Sequence, residues 1–207
     1  MLRAMRLSLG AAALLFGGAL LAQAPKDAPN ADGYFPLKPK TKWTYKVQDQ
    51  TIEVVVASSE KSPTPGEELT KVDTLVNGKI VASEVYTVRP DGVYRVKVKD
   101  DKIDPPVKIL HIPVEEGVKG WDVKSKVGTQ TVSGTFKVKN TKEKIKVMDK
   151  EVEAVMVEGE NLDVAGTKTT VRTWFVKGMG VVKLSYKIQD AESVLELTKF
   201  EPPGSTN

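Results

Sequence analysis

The chain has 207 residues, no cysteine and one histidine, and its 31 Lys and Arg against 27 Asp and Glu leave a formal charge of +4. Without cysteine it can hold neither a disulfide framework nor a lipid-modified N-terminal cysteine. One histidine cannot build a zinc site of nitrogen and sulfur ligands, and interspersed Lys and Glu read as a solvated surface, not a nucleic-acid stripe.

Arg3 and Arg6 precede an apolar, small-residue run from Leu7 to Ala22, and Ala22-Gln23-Ala24 has the form of a cleavage site. Residues 1–24 therefore read as a secretory signal peptide, the one helix expected in the chain. Its apolar run falls short of the roughly 20 residues of a membrane span. Cleavage is expected at Ala24. Pro25 stands awkwardly behind that cut, so Ala22 is the alternative. Uncleaved, the segment would be the chain's only contact with a membrane. Without Arg3 and Arg6 the formal charge of +4 falls by two, to near neutrality. The expected location is periplasmic or secreted.

Residues 25–32 are polar and proline-bearing, and read as a disordered leader. A β domain is expected over 33–201, with 202–207 a flexible tail. It opens on Tyr34-Phe35-Pro36-Leu37, a polar bridge, then Trp43-Thr44-Tyr45-Lys46-Val47. Pro36 cannot donate to a strand ladder, so it suits a lead-in. The run from Trp43 alternates apolar with polar, as a half-buried strand does. Thr51 to Val56 is a returning strand, and Ser58 to Gly66 a loop by composition.

Glu67 to Val76 and Lys79 to Val88 flank Asn77-Gly78, a strong hairpin signal, because a type I′ turn needs φ > 0 at both central residues. Arg89-Pro90-Asp91-Gly92 turns the chain into Val93 to Val98. Asp100 to Pro106 is charged, ends in two prolines and reads as a separator. The opening pattern then repeats as Leu110-His111-Ile112-Pro113-Val114, a bridge, and Trp121-Asp122-Val123. An internal duplication is expected from this echo, with halves 33–104 and 105–201. Strands follow over 121–127, 130–138, 144–147, 151–157, 167–176, 181–188 and 193–200. Gly128-Thr129, Asn140-Thr141, Met148-Asp149, Lys177 to Gly180 and Gln189-Asp190 are the turns between them. The recurrence of turn-bounded β-branched runs predicts an all-β antiparallel meander, forming a curved sheet, a half-barrel or a sandwich.

The sequence marks no catalytic or cofactor motif. His111 is flanked by apolar residues and reads as a packing or surface histidine. Asp100, Asp101 and Asp104 offer oxygen ligands but lack the loop glycine and terminal glutamate of an EF-hand. Glu53, Glu84, Glu153 and Glu196 sit within apolar strands and are expected on the solvent face. Gly178-Met179-Gly180 reads as a turn, since no helix follows to cradle a phosphate. Trp43 and Trp121 read as buried plugs of two halves, with an aromatic platform for a ligand as the alternative.

Taken in order, Tyr34-Phe35-Pro36-Leu37…Trp43-Thr44-Tyr45, Asp91-Gly92-Val93-Tyr94, Ile112-Pro113…Gly117…Trp121 and Thr173-Trp174-Phe175-Val176-Lys177-Gly178-Met179-Gly180-Val181-Val182-Lys183 resemble a family of uncharacterised secreted bacterial all-β proteins. The motifs are structural and span nearly the whole mature chain. One departure is Lys40-Thr41, where members usually carry a glycine. In outline the family looks like the half-barrels of periplasmic lipoprotein carriers, which implies an apolar concave groove. A likeness of fold does not transfer function.

The expected function is an exported, non-enzymatic binding or carrier module that holds an apolar ligand or a partner segment on a concave sheet, with no cofactor, no metal and no nucleic acid. The alternative is an envelope protein that engages another protein and no small ligand. A hydrolase with an unmarked carboxylate pair stands third.

Overall fold

The computed structural model describes residues 33–205. The expected signal peptide with its cleavage site, the leader, and residues 206–207 of the tail lie outside the described residues.

Twelve strands follow one another: β1 (Lys42–Val47), β2 (Gln50–Lys61), β3 (Glu68–Val76), β4 (Lys79–Arg89), β5 (Gly92–Val98), β6 (Asp101–His111), β7 (Trp121–Val127), β8 (Gln130–Val147), β9 (Lys150–Val164), β10 (Thr167–Val176), β11 (Gly180–Ile188) and β12 (Ala191–Glu201). Each pairs antiparallel with its sequence neighbour, and β1 also pairs with β12. The meander is the expected one, but it closes. The half-barrel, curved sheet or sandwich of the sequence reading is instead a closed barrel of twelve strands. Trp43 shows how: it sits opposite Val54 on β2 and Phe200 on β12. Closure leaves neither end of the meander with an unpaired edge, which an open sheet would present to other chains.

Local chemistry explains most of the hairpins. Asn77 and Gly78 both have positive φ, 52° and 73°, as a type I′ turn requires. The loop read from Ser58 to Gly66 begins only after Lys61, because Ser58 to Lys61 continue β2 and pair with β3. Two further expectations of strand layout fail. The charged stretch from Asp100 to Pro106 is not a separator, because β6 runs through it. Its prolines still leave a mark. On the β7 side only Ile103 and Asp104 pair, with Val127 and Lys126; Pro105 and Pro106 follow and have no N–H to continue the ladder. The second failure is Asn140-Thr141, which lies within the 18-residue β8 and not in a turn. Register shifts against β9 on both sides of Asn140 absorb it as a bulge. The two Pro–Trp units open β1 and β7, so each precedes six strands, while the expected junction of halves at 104/105 falls inside β6.

An apolar chamber inside the barrel

Strand alternation sends one set of side chains inward from almost every strand. Trp43 and Tyr45 of β1, Ile52 and Val54 of β2, Val72 and Thr74 of β3, and Val107 and Ile109 of β6 all face a common chamber. Phe136, Leu162, Phe175, Leu184 and Leu195 continue its wall from β8 to β12. The chamber has a volume of about 490 Å³, within the roughly 300–1,000 Å³ typical of small-molecule sites. A second hollow of about 400 Å³ lies near Leu37, Lys38 and Gly66, with Glu68 and Thr70 in its wall.

The segment before β1 closes part of the chamber. Phe35 is buried and packs against Trp43, Tyr86 and Phe175, with ring centroids 6.5, 5.1 and 6.4 Å away. The chain is held there by partners on β11 and the turn before it. Trp43 Nε1 donates to the Met179 carbonyl at 2.5 Å and Tyr45 Oη to the Val181 carbonyl at 2.7 Å. Gly178 N donates to the Gly33 carbonyl. The turn Gly178-Met179-Gly180 therefore has a structural task. Gly180 has φ of 86°, and a Cβ there would lie 3.1 Å from Pro36 Cδ and 3.3 Å from Trp43 Nε1, so glycine admits both the backbone twist and the close approach.

The tryptophans of the two Pro–Trp units are not equivalent. Trp43 is buried, with 3% of its surface accessible, and lines the chamber. Trp121 is only half-buried. It stacks on Phe136 at 6.0 Å, meets His111 at 6.0 Å, and donates from Nε1 to the Lys108 carbonyl at 2.9 Å. The expectation of two equal buried plugs is thus corrected. The second bridge leaves Trp121 outside the chamber wall. His111 is half-buried beside it. Among the described residues no three His, Asp or Glu gather to hold a metal ion, and Asp101 and Asp104 are strand residues of β6.

The carboxylates divide by face. Glu53 pairs with Lys42 at 2.5 Å and Glu196 with Lys183 at 2.9 Å on the outside. Glu153 is exposed. Glu84 departs from the expectation and lines the chamber. It accepts from Tyr86 Oη at 2.5 Å and from Arg95 Nη1 at 2.7 Å. Arg95 Nε is sealed from solvent and has no partner among the described residues. About 35% of the Arg95 side chain is accessible, and the residue lines the chamber. Burial works against the charge of Arg95, but the Glu84 carboxylate and the Tyr86 hydroxyl outweigh it and raise its pKa further. Burial, then the neighbouring Glu84, pushes the Tyr86 phenol well above its ordinary range, and burial does the same to Tyr45. Both phenols stay protonated at neutral pH.

The outer wall is the reverse of the inner. Lys137–Glu160, Lys139–Glu158 and Arg172–Glu158 pairs at 2.5, 3.0 and 2.7 Å join neighbouring strands there. A barrel that spans a membrane turns apolar side chains outward; this one turns them inward. No helix among the described residues is long and apolar enough to cross a membrane.

Two solved structures share this architecture. One is a candidate lipoprotein of Parabacteroides distasonis ATCC 8503, with a TM-score of 0.54 and 12% identity, covering 81% of this chain and 97% of that one. Another is a candidate exported protein with YmcC-like fold from Bacteroides fragilis NCTC 9343, with a TM-score of 0.51 and 11% identity, covering 81% of this chain and 98% of that one. At such identity the likeness is one of fold, and it does not reach the sequence motifs quoted above. No family model and no curated protein sequence matches the chain.

Proposed function

We propose that this protein is an exported, non-enzymatic carrier or binding module that holds an apolar ligand inside its barrel. The observation that carries the proposal is the chamber of about 490 Å³, walled by aromatic and aliphatic side chains within a barrel whose outside is charged. A core filled for stability alone would be packed near crystal density with few voids larger than a water. The chamber is many times that size. The concave groove expected from sequence becomes a chamber within a barrel, because the sheet closes. The fold neighbours, a candidate lipoprotein and a candidate exported protein, support placement in the envelope or beyond it. The signal-like residues 1–24 support export to the periplasm or medium.

The rival reading, an envelope protein that docks another protein, would rest on the exposed aliphatic side chains Ile80 and Val81 of β4, 59% and 53% exposed, with Ile188 and Val164 less so. Only Ile80 and Val81 are adjacent in sequence, and two aliphatic side chains make a patch well below the few hundred Å² that signals an interface. For a hydrolase, Glu84 would need a second carboxylate across a cleft, and its neighbours are Arg95 and Tyr86.

Native mass spectrometry of the protein purified from its own envelope tests the proposal. The expected result is a stoichiometric small apolar adduct that organic extraction removes. A spectrum of bare protein, with a protein partner in stoichiometric amount, would overturn it in favour of the rival.

A further inference from the structure

Resting on the carrier reading, the geometry points to a more specific ligand: an amphiphile whose oxyanion head group, a carboxylate in the simplest case, docks on Arg95 while its tail lies among the apolar side chains of the chamber. Among the described residues, Arg95 and Glu84 are the only charged side chains in the chamber wall. An apolar lipid would need neither. Burying a charge is costly unless it is paired and hydrogen-bonded, so the pair calls for an explanation.

Its hydrogen bonds are incomplete on one side. Glu84 is used on both oxygens: Oε2 accepts from Tyr86 and Oε1 from Arg95 Nη1. The guanidinium is a fork of five N–H donors, and Glu84 takes the Nη1 side. Nε has no partner among the described residues. Nε and Nη2 form the second edge of the fork; Nε lies sealed, so Nη2, neither bonded nor sealed among the described residues, is the donor this edge offers to a carboxylate or phosphate oxygen. Tyr86 and Glu84 hold the guanidinium in place, so little side-chain freedom is lost when the second edge is taken. Glu84 also opposes a second anion nearby. This opposition makes the inference sharper, because it predicts that removing the Glu84 charge strengthens binding of an acid.

Isothermal titration of the extracted protein with sodium laurate and, separately, with dodecanol tests the inference. The two share a tail and differ in the head. The expected result is that laurate binds about ten-fold or more tightly than dodecanol, as a charge-assisted hydrogen bond would give. Glu84→Gln should tighten laurate further and widen its advantage over dodecanol. The double variant Arg95→Met with Glu84→Met removes both charges and leaves neither buried alone; in it the two affinities should converge. Circular dichroism confirms that each variant is folded, and the wild-type comparison stands without any variant. Equal affinities for laurate and dodecanol in the wild type would overturn the head-group inference and leave the carrier reading intact. Binding of neither would overturn both.

Discussion

Replacing Trp43 by alanine should damage this protein more than replacing Trp121, and the structure sets the margin. Trp43 is 3% accessible and packs on Phe35 and Phe200, with centroids 6.5 and 6.0 Å away. A buried aromatic of this kind covers about 200 Å², which at about 25 cal/mol per Å² is about 5 kcal/mol. That agrees with the roughly 3–5 kcal/mol measured when large aromatics leave a cavity. The bond from Trp43 Nε1 to the Met179 carbonyl goes with it. The wall beside Trp43 already borders the chamber, so neighbours on that side cannot collapse to fill the gap. Trp121 is half-buried and keeps one stacking partner in Phe136, so its loss should cost about 1–3 kcal/mol, the ordinary range for a substitution. Urea melts of the two variants, compared with the wild type at constant m-value, give both numbers. Equal losses, or a Trp43→Ala loss under about 1 kcal/mol, would refute the packing described here.

Three further outcomes follow from the same geometry. Lys40 has φ of 73°, a conformation that costs a side-chain-bearing residue about 1–2 kcal/mol. Lys40→Gly should therefore leave thermal stability unchanged or raise it slightly, since glycine's greater freedom in the unfolded chain offsets part of the gain; a clear drop in Tm would contradict this. Gly180→Ala should lower stability by about 1–3 kcal/mol, because a Cβ is strained there and crowds Pro36 and Trp43; an unchanged urea midpoint would contradict it. Tyr45 and Tyr86 have raised pKa values, chiefly through burial. Their neutral form is favoured by the folded state, so this contribution is complete below the unfolded value of about 10 and is lost as pH rises above it. Stability should fall above that pH by up to about 1.4 kcal/mol per unit for each phenol. Tyr45→Phe and Tyr86→Phe should each flatten the fall in urea melts across the alkaline range, and an unaltered slope would contradict the burial argument.

Much of the fold is legible in the sequence, for reasons of short range. Asn77-Gly78 specifies its turn alone, and alternation specifies which side chains of β1 and β2 point inward. Lys40 occupies a left-handed position that the resemblance had reserved for glycine. What the sequence hides depends on distant partners. Closure needs β1 to find β12, and nothing local in either strand states that pairing. Asn140-Thr141 has turn chemistry, yet pairing with β9 on both sides holds it in a bulge. The polar trio of the chamber is the clearest case. Arg95 and Lys97 share one parity in β5, so alternation would put both on the same face. A register shift between them against β6 separates the two, leaving Arg95 at the chamber and Lys97 exposed. Glu84 shares its parity with the buried Tyr86, two residues on, and that pairing was the one available signal that it faces inward.

The central claim is that the chamber is the binding site. Substitutions that fill it from opposite walls test this most directly. Thr74→Phe and Val171→Phe both project into the chamber and leave the charged exterior untouched. The measurement is a fluorescence titration of extracted protein with N-phenyl-1-naphthylamine, a neutral apolar fluorophore. The account predicts saturable one-to-one binding to the wild type and its loss in both folded variants. Saturable binding that survives both substitutions would place the site elsewhere and contradict the account.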